Sequence, residues 1–144
     1  MEALRDCESV VITGGNVVIL LNRLRMFGVP ALLQEKNLIA WSAGAMALSD
    51  RIVLFHDRMP QGRRDPELLG PGTGLLPGYV FLPDARLRIT DSIRTGLYSR
   101  RFAPARCITL DSGAQMLFAD GAMQYSELAR LMTQDGELER LHAA

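Results

Sequence analysis

The N-terminal part of the chain combines short apolar runs with apolar residues at helical spacing. Residues 9–13 and 38–41 are brief apolar runs that end beside glycine or other small residues, which predicts two buried strands. Between them Asn16 can cap the start of a helix and Gly28 can end it. The apolar stripe of this predicted helix consists of Val17, Leu20, Leu21, Leu24 and Phe27.

The middle of the chain predicts shorter elements and one long loop. Proline in the first turn suits a second short helix over 30–36, and a β-branched run predicts a strand over 51–55. Residues 59–78 hold four of the seven prolines and five of the thirteen glycines and predict a surface loop. A further strand over 79–82 is stopped by Pro83.

The C-terminal part predicts a helix, a strand, a hairpin and a last helix. Asp91 can cap a helix whose inward residues are Ile93, Leu97 and Tyr98. A strand over 107–110 follows, and Asp120-Gly121 predicts a hairpin turn between strands over 115–119 and 123–125. Ser126 can cap the last helix. The apolar face of that helix is predicted to hold Leu128, Leu131 and Met132.

Strands that alternate with helices predict an α/β fold: a mostly parallel sheet with helices on both faces, ending in a β-hairpin and a helix. A length of 144 residues predicts one domain over 1–144.

The 16 basic and 16 acidic residues balance, which argues against nucleic acid or anionic membrane as a partner. The sequence shows neither a membrane span nor a signal peptide, so we expect a cytoplasmic protein. Cys7 and Cys107 make neither a disulfide framework nor a metal site, and we expect no cofactor.

Two turns follow predicted strands at the edge of the sheet where α/β proteins bind ligands. Ser42 stands among small residues between a strand and a helical stretch, a pattern typical of a nucleophile elbow, and the amide of Ala43 would point at charge developing beside it. The alternative for Ser42 is a simple helix cap. Gly14-Gly15-Asn16 could supply an amide to an oxyanion hole or could be a tight turn with an Asn cap.

These two turns, with Gly-Thr-Gly-Leu-Leu-Pro-Gly at 72–78 and Leu-Asp-Ser-Gly at 110–113, resemble the dipeptidase E and cyanophycinase family of serine peptidases. The resemblance covers roughly 8–120 and implies a type 1 glutamine amidotransferase-like, flavodoxin-like fold. It implies Ser42 as the nucleophile, with the amides of Ala43 and Gly15 in the oxyanion hole. The implied reaction is hydrolysis of a peptide or amide substrate through an acyl-enzyme. A glutamine amidotransferase would need cysteine where Ser42 stands.

The histidine of this family has no counterpart at the expected place. Asp84 occupies that position, and the acid of the triad would fall at Asp111. An ordinary aspartate, with a pKa of about 3.9, is a much weaker base than histidine. His56, which follows a predicted strand and precedes an aspartate, is an alternative base. His142 stands close to the C-terminus, where fraying is usual.

Two functions therefore stay open: a serine-type peptidase, and a catalytically inactive homologue that binds a peptide or a protein. Members of the family are usually longer and have strand-helix units before the Gly-Gly-Asn turn. We therefore expect the chain to lack those units and to expose a strand edge, which a homodimer or a partner chain would cover.

Overall fold

The computed structural model describes residues 2–55, 67–89 and 92–141. The chain divides into two compact units, Met1–Pro77 and Gly78–Ala144. The first contains α1 (Glu2–Asp6), β1 (Ser9–Ile12), α2 (Val17–Met26), α3 (Val29–Leu33), β2 (Asn37–Ala40), α4 (Ala43–Leu48), β3 (Arg51–Leu54) and β4 (Glu67–Pro71). The second contains β5 (Tyr79–Pro83), α5 (Ala85–Arg88), α6 (Ser92–Phe102), β6 (Arg106–Leu110), β7 (Met116–Ala119), β8 (Ala122–Tyr125), β9 (Arg130–Met132) and β10 (Leu138–Arg140). One domain over 1–144 stays a prediction.

The parallel pair β1–β2 organises the first unit. Ile12 pairs with Ala40, so both strands end at the same edge. Ile12 is 6% exposed and packs with Leu33 of α3 and Leu48 of α4. On the opposite face Val11 is 54% exposed. The helices of this unit therefore cover one face of the pair, because alternate side chains of a strand point to opposite faces.

Helix α2 forms where the sequence predicts it, for the predicted reason. Asn16 Oδ1 accepts hydrogen bonds from the backbone amides of Val18 and Ile19, at 2.9 and 3.1 Å. These bonds satisfy two of the amides that a helix start leaves without partners. The helix ends at Met26, and Gly28 adopts φ 62° before α3 begins. The helix predicted over 30–36 is the shorter α3.

The second unit holds a mixed four-stranded sheet in the order β10-β9-β6-β5. Strands β5 and β6 are parallel, whereas β9 runs antiparallel to both β6 and β10. The core includes Val80, Leu82, Phe102 and Ile108, all buried. Strands β7 and β8 form the predicted hairpin, and Asp120 and Gly121 both have positive φ, as its turn requires.

The fold is α/β, but the expectation of a mostly parallel sheet was wrong. Besides the antiparallel pairs of the second unit, β3 and β4 pair antiparallel in the first. Strand β4 also lies inside the predicted loop 59–78, of which residues 59–66 fall outside the described residues.

The predicted last helix was also wrong. Ser126 does not begin a helix: its backbone amide and its side-chain Oγ both bond to the backbone of Gln115, at 2.9 Å each. The chain makes one turn and then enters β9, where Leu131 pairs with Ile108 and with Glu139. Pairing with β6 and β10 satisfies the backbone here, so the helical spacing of apolar residues does not decide the structure.

Helix α6 exists, but its inward face differs from the prediction. Leu97 is 54% exposed, and Gly96, Ser99 and Phe102 are buried instead. A side chain at Gly96 would come within 2.9 Å of the carbonyl oxygen of Gln134, so small residues let this helix lie close to the β9–β10 turn. Tyr98 stacks on Phe102, Asp91 lies outside the described residues, and the side chain of Ile93 is not described.

Candidate active site

Ser42 stands between β2 and α4 in an unusual backbone conformation. Its φ is 54° and its ψ is −123°, a region that residues other than glycine rarely occupy and that costs about 1–3 kcal/mol. A strand that turns sharply into a helix through a strained serine is the geometry of a nucleophile elbow. The turn leaves Ser42 half-buried at the end of a parallel strand, with a completely buried helix behind it.

Close packing against β1 holds the elbow in place. The amide of Trp41 donates to the carbonyl oxygen of Ile12 at 3.2 Å, which continues the sheet by one residue. A Cβ added to Gly44 would lie 2.2 Å from the same oxygen. Any larger residue at position 44 would therefore push the first turn of α4 away from the sheet, which explains why the turn is built from small residues.

The Gly-Gly-Asn turn meets Ser42 directly. A Cβ added to Gly14 would lie 3.0 Å from Cβ and 3.2 Å from Oγ of Ser42. Gly15 has a φ of 132°, which only glycine adopts easily, and the side chain of Asn16 is engaged in capping α2. The structure thus brings the turn and the serine together. It also shows that Asn16 caps α2, as one of the two interpretations of this turn predicted.

Asp84 and Asp111 lie at one edge of the sheet in the second unit. Pro83 and Leu110 are register partners in the parallel pair β5–β6, so the two aspartates follow neighbouring strands. Asp84 is exposed and adopts left-handed backbone angles, φ 51° and ψ 40°. Aspartate tolerates this region better than most residues.

Asp111 binds Arg86 through both carboxylate oxygens. Its Oδ1 accepts from the backbone amide of Arg86 at 3.0 Å, and its Oδ2 lies 3.3 Å from the guanidinium Nε. The carboxylate therefore fixes the turn that follows Asp84. Sequence reasoning missed Arg86, since nothing local shows that residues 25 positions apart meet.

The site residues predicted from the sequence are distributed over both units. Gly14, Gly15, Asn16, Ser42 and Ala43 lie in the first unit, with Ala43 buried as the first residue of α4. Asp84 and Asp111 lie in the second. His56 and His142 lie outside the described residues. Within residues 2–55, 67–89 and 92–141, no three His, Cys, Asp or Glu side chains converge as a metal site would require.

The fold, but not the sequence, is similar to that of a known protein. No protein-family model and no curated protein matches the sequence. The fold is similar to the crystal structure of a protein from Listeria monocytogenes EGD-e that is provisionally described as a peptidase E, with a TM-score of 0.61 and 18% identity. The match covers 87% of this chain and 62% of that one. At this identity the similarity shows the fold alone: a peptidase E-like α/β architecture.

None of the described helices has the length and apolar character needed to span a membrane.

Proposed function

We propose that the chain is a peptidase E-like serine hydrolase that cleaves peptide bonds through an acyl-enzyme on Ser42. The observation that carries the proposal is the strained backbone of Ser42, φ 54° and ψ −123°, between a parallel strand and a buried helix. A strained serine in this position is usually found where its hydroxyl must be presented to a substrate. The peptidase E-like fold supports the same reaction class.

The proposed reaction has two steps. Ser42 Oγ attacks the carbonyl carbon of the peptide while a base takes the hydroxyl proton, and the amides of Ala43 and Gly15 stabilise the negative oxygen that forms. The C–N bond breaks, and the proton passes to the leaving amine. Water then attacks the acyl ester in the same way, which releases the acid and restores the Ser42 hydroxyl.

The identity of the base controls how fast this reaction can run. The resemblance implies that Asp84 stands where the family has its histidine, and His56 is the alternative base. An ordinary carboxylate removes a hydroxyl proton poorly near neutral pH. If Asp84 is the base, we therefore expect slow turnover. Loss of a triad base lowers the rate by about 10⁴ to 10⁶ in other serine peptidases.

The contact between Asp111 and Arg86 favours a second candidate, an inactive homologue that binds a peptide or a protein. Among the described residues the side chain of Asp111 contacts Arg86 and no base, whereas the acid of a triad accepts a hydrogen bond from its base. In this case Ser42 and the Gly-Gly-Asn turn would bind a peptide carbonyl without cleaving it.

A fluorophosphonate probe distinguishes the two candidates, because it forms a covalent bond only with an activated serine. We expect intact-mass analysis to find one adduct on the wild type, none on Ser42→Ala and one on the control Ser9→Ala, an exposed serine of β1. A wild type that stays unlabelled where an active serine peptidase is labelled would remove the hydrolase proposal and leave the binding function.

The base is tested by two further variants with the same probe. If Asp84 stands at the base position, Asp84→His should increase the labelling rate of Ser42 by at least about tenfold, and His56→Ala should leave the wild-type rate unchanged. Loss of labelling in His56→Ala would identify His56 as the base and contradict the assignment of Asp84.

A further inference from the structure

Residues 71–76, which we term the clamp segment, bind the carboxyl end of α4. Thr73 donates to the carbonyl oxygen of Ala47 through both its amide and its Oγ1, at 2.8 Å each. The amides of Gly74 and Leu76 donate to the carbonyl oxygens of Ser49 and Leu48, at 3.2 and 2.9 Å. The last carbonyl groups of a helix have no partners within it, and the clamp segment supplies them here.

Helix α4 depends on these partners because it is short. It contains six residues, too few to form a stable helix by itself. The clamp segment also fits closely, since a Cβ added to Gly72 would lie 2.0 Å from the carbonyl oxygen of Ser49. The position of α4, and of Ser42 at its start, is thus fixed from both ends: by β1 at one and by the clamp segment at the other.

Arg25 holds the clamp segment from helix α2. Its Nη2 donates to the carbonyl oxygens of Pro71 and Gly72, at 2.6 and 3.1 Å. Arg25 belongs to the last turn of α2, and the first turn of the same helix is capped by Asn16, two residues after Gly14, which meets Ser42. The turn that leads into α2 therefore contacts the elbow, and the C-terminal end of α2 contacts the clamp segment.

The middle of α2 packs on α4 as well. Val17 and Leu21 of α2 share a buried cluster with Ala43 and Met46 of α4. This packing gives α2 a direct contact with the helix that follows Ser42.

We infer that Arg25 is a positioning residue for Ser42, acting through the clamp segment. Its guanidinium binds two carbonyl groups at the start of that segment and so keeps the segment on the carboxyl end of α4. The consequence for chemistry rests on the proposed function of Ser42, whereas the consequence for the clamp segment does not.

Hydrogen exchange and probe labelling test the inference together on the full-length chain. In Arg25→Gln, which lacks the charged donor, we expect the amides of Thr73, Gly74 and Leu76 to exchange about tenfold faster, while the amides of β6 keep their rates. We expect the labelling rate of Ser42 to fall by a similar factor. Arg25→Lys should return both the exchange rates and the labelling rate most of the way to their wild-type values, because an ammonium group can also donate to carbonyl oxygens.

The control is Arg23→Gln, which removes an exposed arginine from the same helix and should change neither measurement. Unchanged exchange at the clamp segment in Arg25→Gln would overturn the inference. Faster exchange with an unchanged labelling rate would also overturn it, because the clamp segment would then not position Ser42. If the wild type is not labelled at all, the proposed function fails, and the exchange rates still decide whether Arg25 holds the clamp segment.

Discussion

The contact between Gly14 and Ser42 sets how much space surrounds the serine hydroxyl. A methyl group at position 14 would lie 3.2 Å from Oγ, closer than most side chains approach one another. Because Gly14 lacks the positive φ of its neighbour Gly15, alanine fits its backbone, and the whole effect of the substitution falls on Ser42. Glycine is thus required at position 14 by the contact with Ser42 and not by the backbone conformation of the turn.

Gly14→Ala should therefore reduce the reactivity of Ser42 more than it reduces stability. Displacing a reacting group by a fraction of an ångström lowers rates by about 10- to 100-fold, and we expect a loss of this size in fluorophosphonate labelling. Urea unfolding should show a cost of no more than about 1 kcal/mol. Ser9→Ala, at the other end of β1, is the matched control. Labelling of Gly14→Ala at the wild-type rate would show that the contact does not constrain Oγ.

Strand β1 presents its two faces to different surroundings, although its sequence is apolar throughout. Ile12 packs on helices α3 and α4, whereas Val11 and its register partner Ile39, which is 58% exposed, lie on the open face. A continuous apolar run usually indicates a strand buried on both faces. The run predicted the strand correctly but did not reveal that one face stays open.

Threonine substitutions measure this asymmetry, because threonine keeps the branched Cβ that strands favour. Ile12→Thr removes buried methyl groups and buries a hydroxyl, so we expect a loss of about 2–4 kcal/mol in the free energy of unfolding in urea. Val11→Thr should stay within about 0.5 kcal/mol of the wild type. Equal losses would mean that a second copy of the chain covers Val11 in the purified protein, and light scattering would detect that dimer.

Elements with local causes could be predicted from the sequence, and those with distant causes could not. Asn16 caps α2 within three residues, and Asp120-Gly121 makes its turn without help from elsewhere. Strand β9, in contrast, exists because Leu131 pairs with Ile108, which is 23 positions away. This distant pairing produces a strand where the spacing of apolar residues predicted a helix. The same holds at the site: the elbow at Ser42 follows from its small neighbours, but the partners of Arg25 and Asp111 depend on the folded chain.

The composition of the whole molecule limits the number of groups that change charge at alkaline pH. The chain is formally neutral at pH 7, and Lys36 is its only lysine among 16 basic residues. Arginine keeps its positive charge throughout the accessible pH range, so few groups change charge between pH 8 and 10. Cys107 is one that matters for folding: it is 1% exposed in β6, and burial raises the pKa of its thiol from 9.0 to about 12.

This shift predicts that stability decreases as the pH rises above 9. The native state keeps the Cys107 thiol protonated up to about pH 12, whereas the unfolded chain releases the proton near pH 9. The unfolded state therefore binds fewer protons in this window, and the free energy of unfolding falls with pH, by about 1.4 kcal/mol per unit. Below pH 9 both states hold the proton, and the thiol adds no pH dependence.

Urea unfolding at pH 8 and pH 10 checks this prediction with a matched pair of variants. Between these two values the wild type should lose about 1.4 kcal/mol through Cys107. Cys107→Ala should be less stable at pH 8, because it leaves a small cavity, but should lack this part of the decrease. Cys7→Ala, which removes a half-buried thiol from the first unit, should keep it. A decrease of the same size in Cys107→Ala and in the wild type would contradict the prediction, since the thiol buried in β6 would then not be the group whose ionisation favours unfolding.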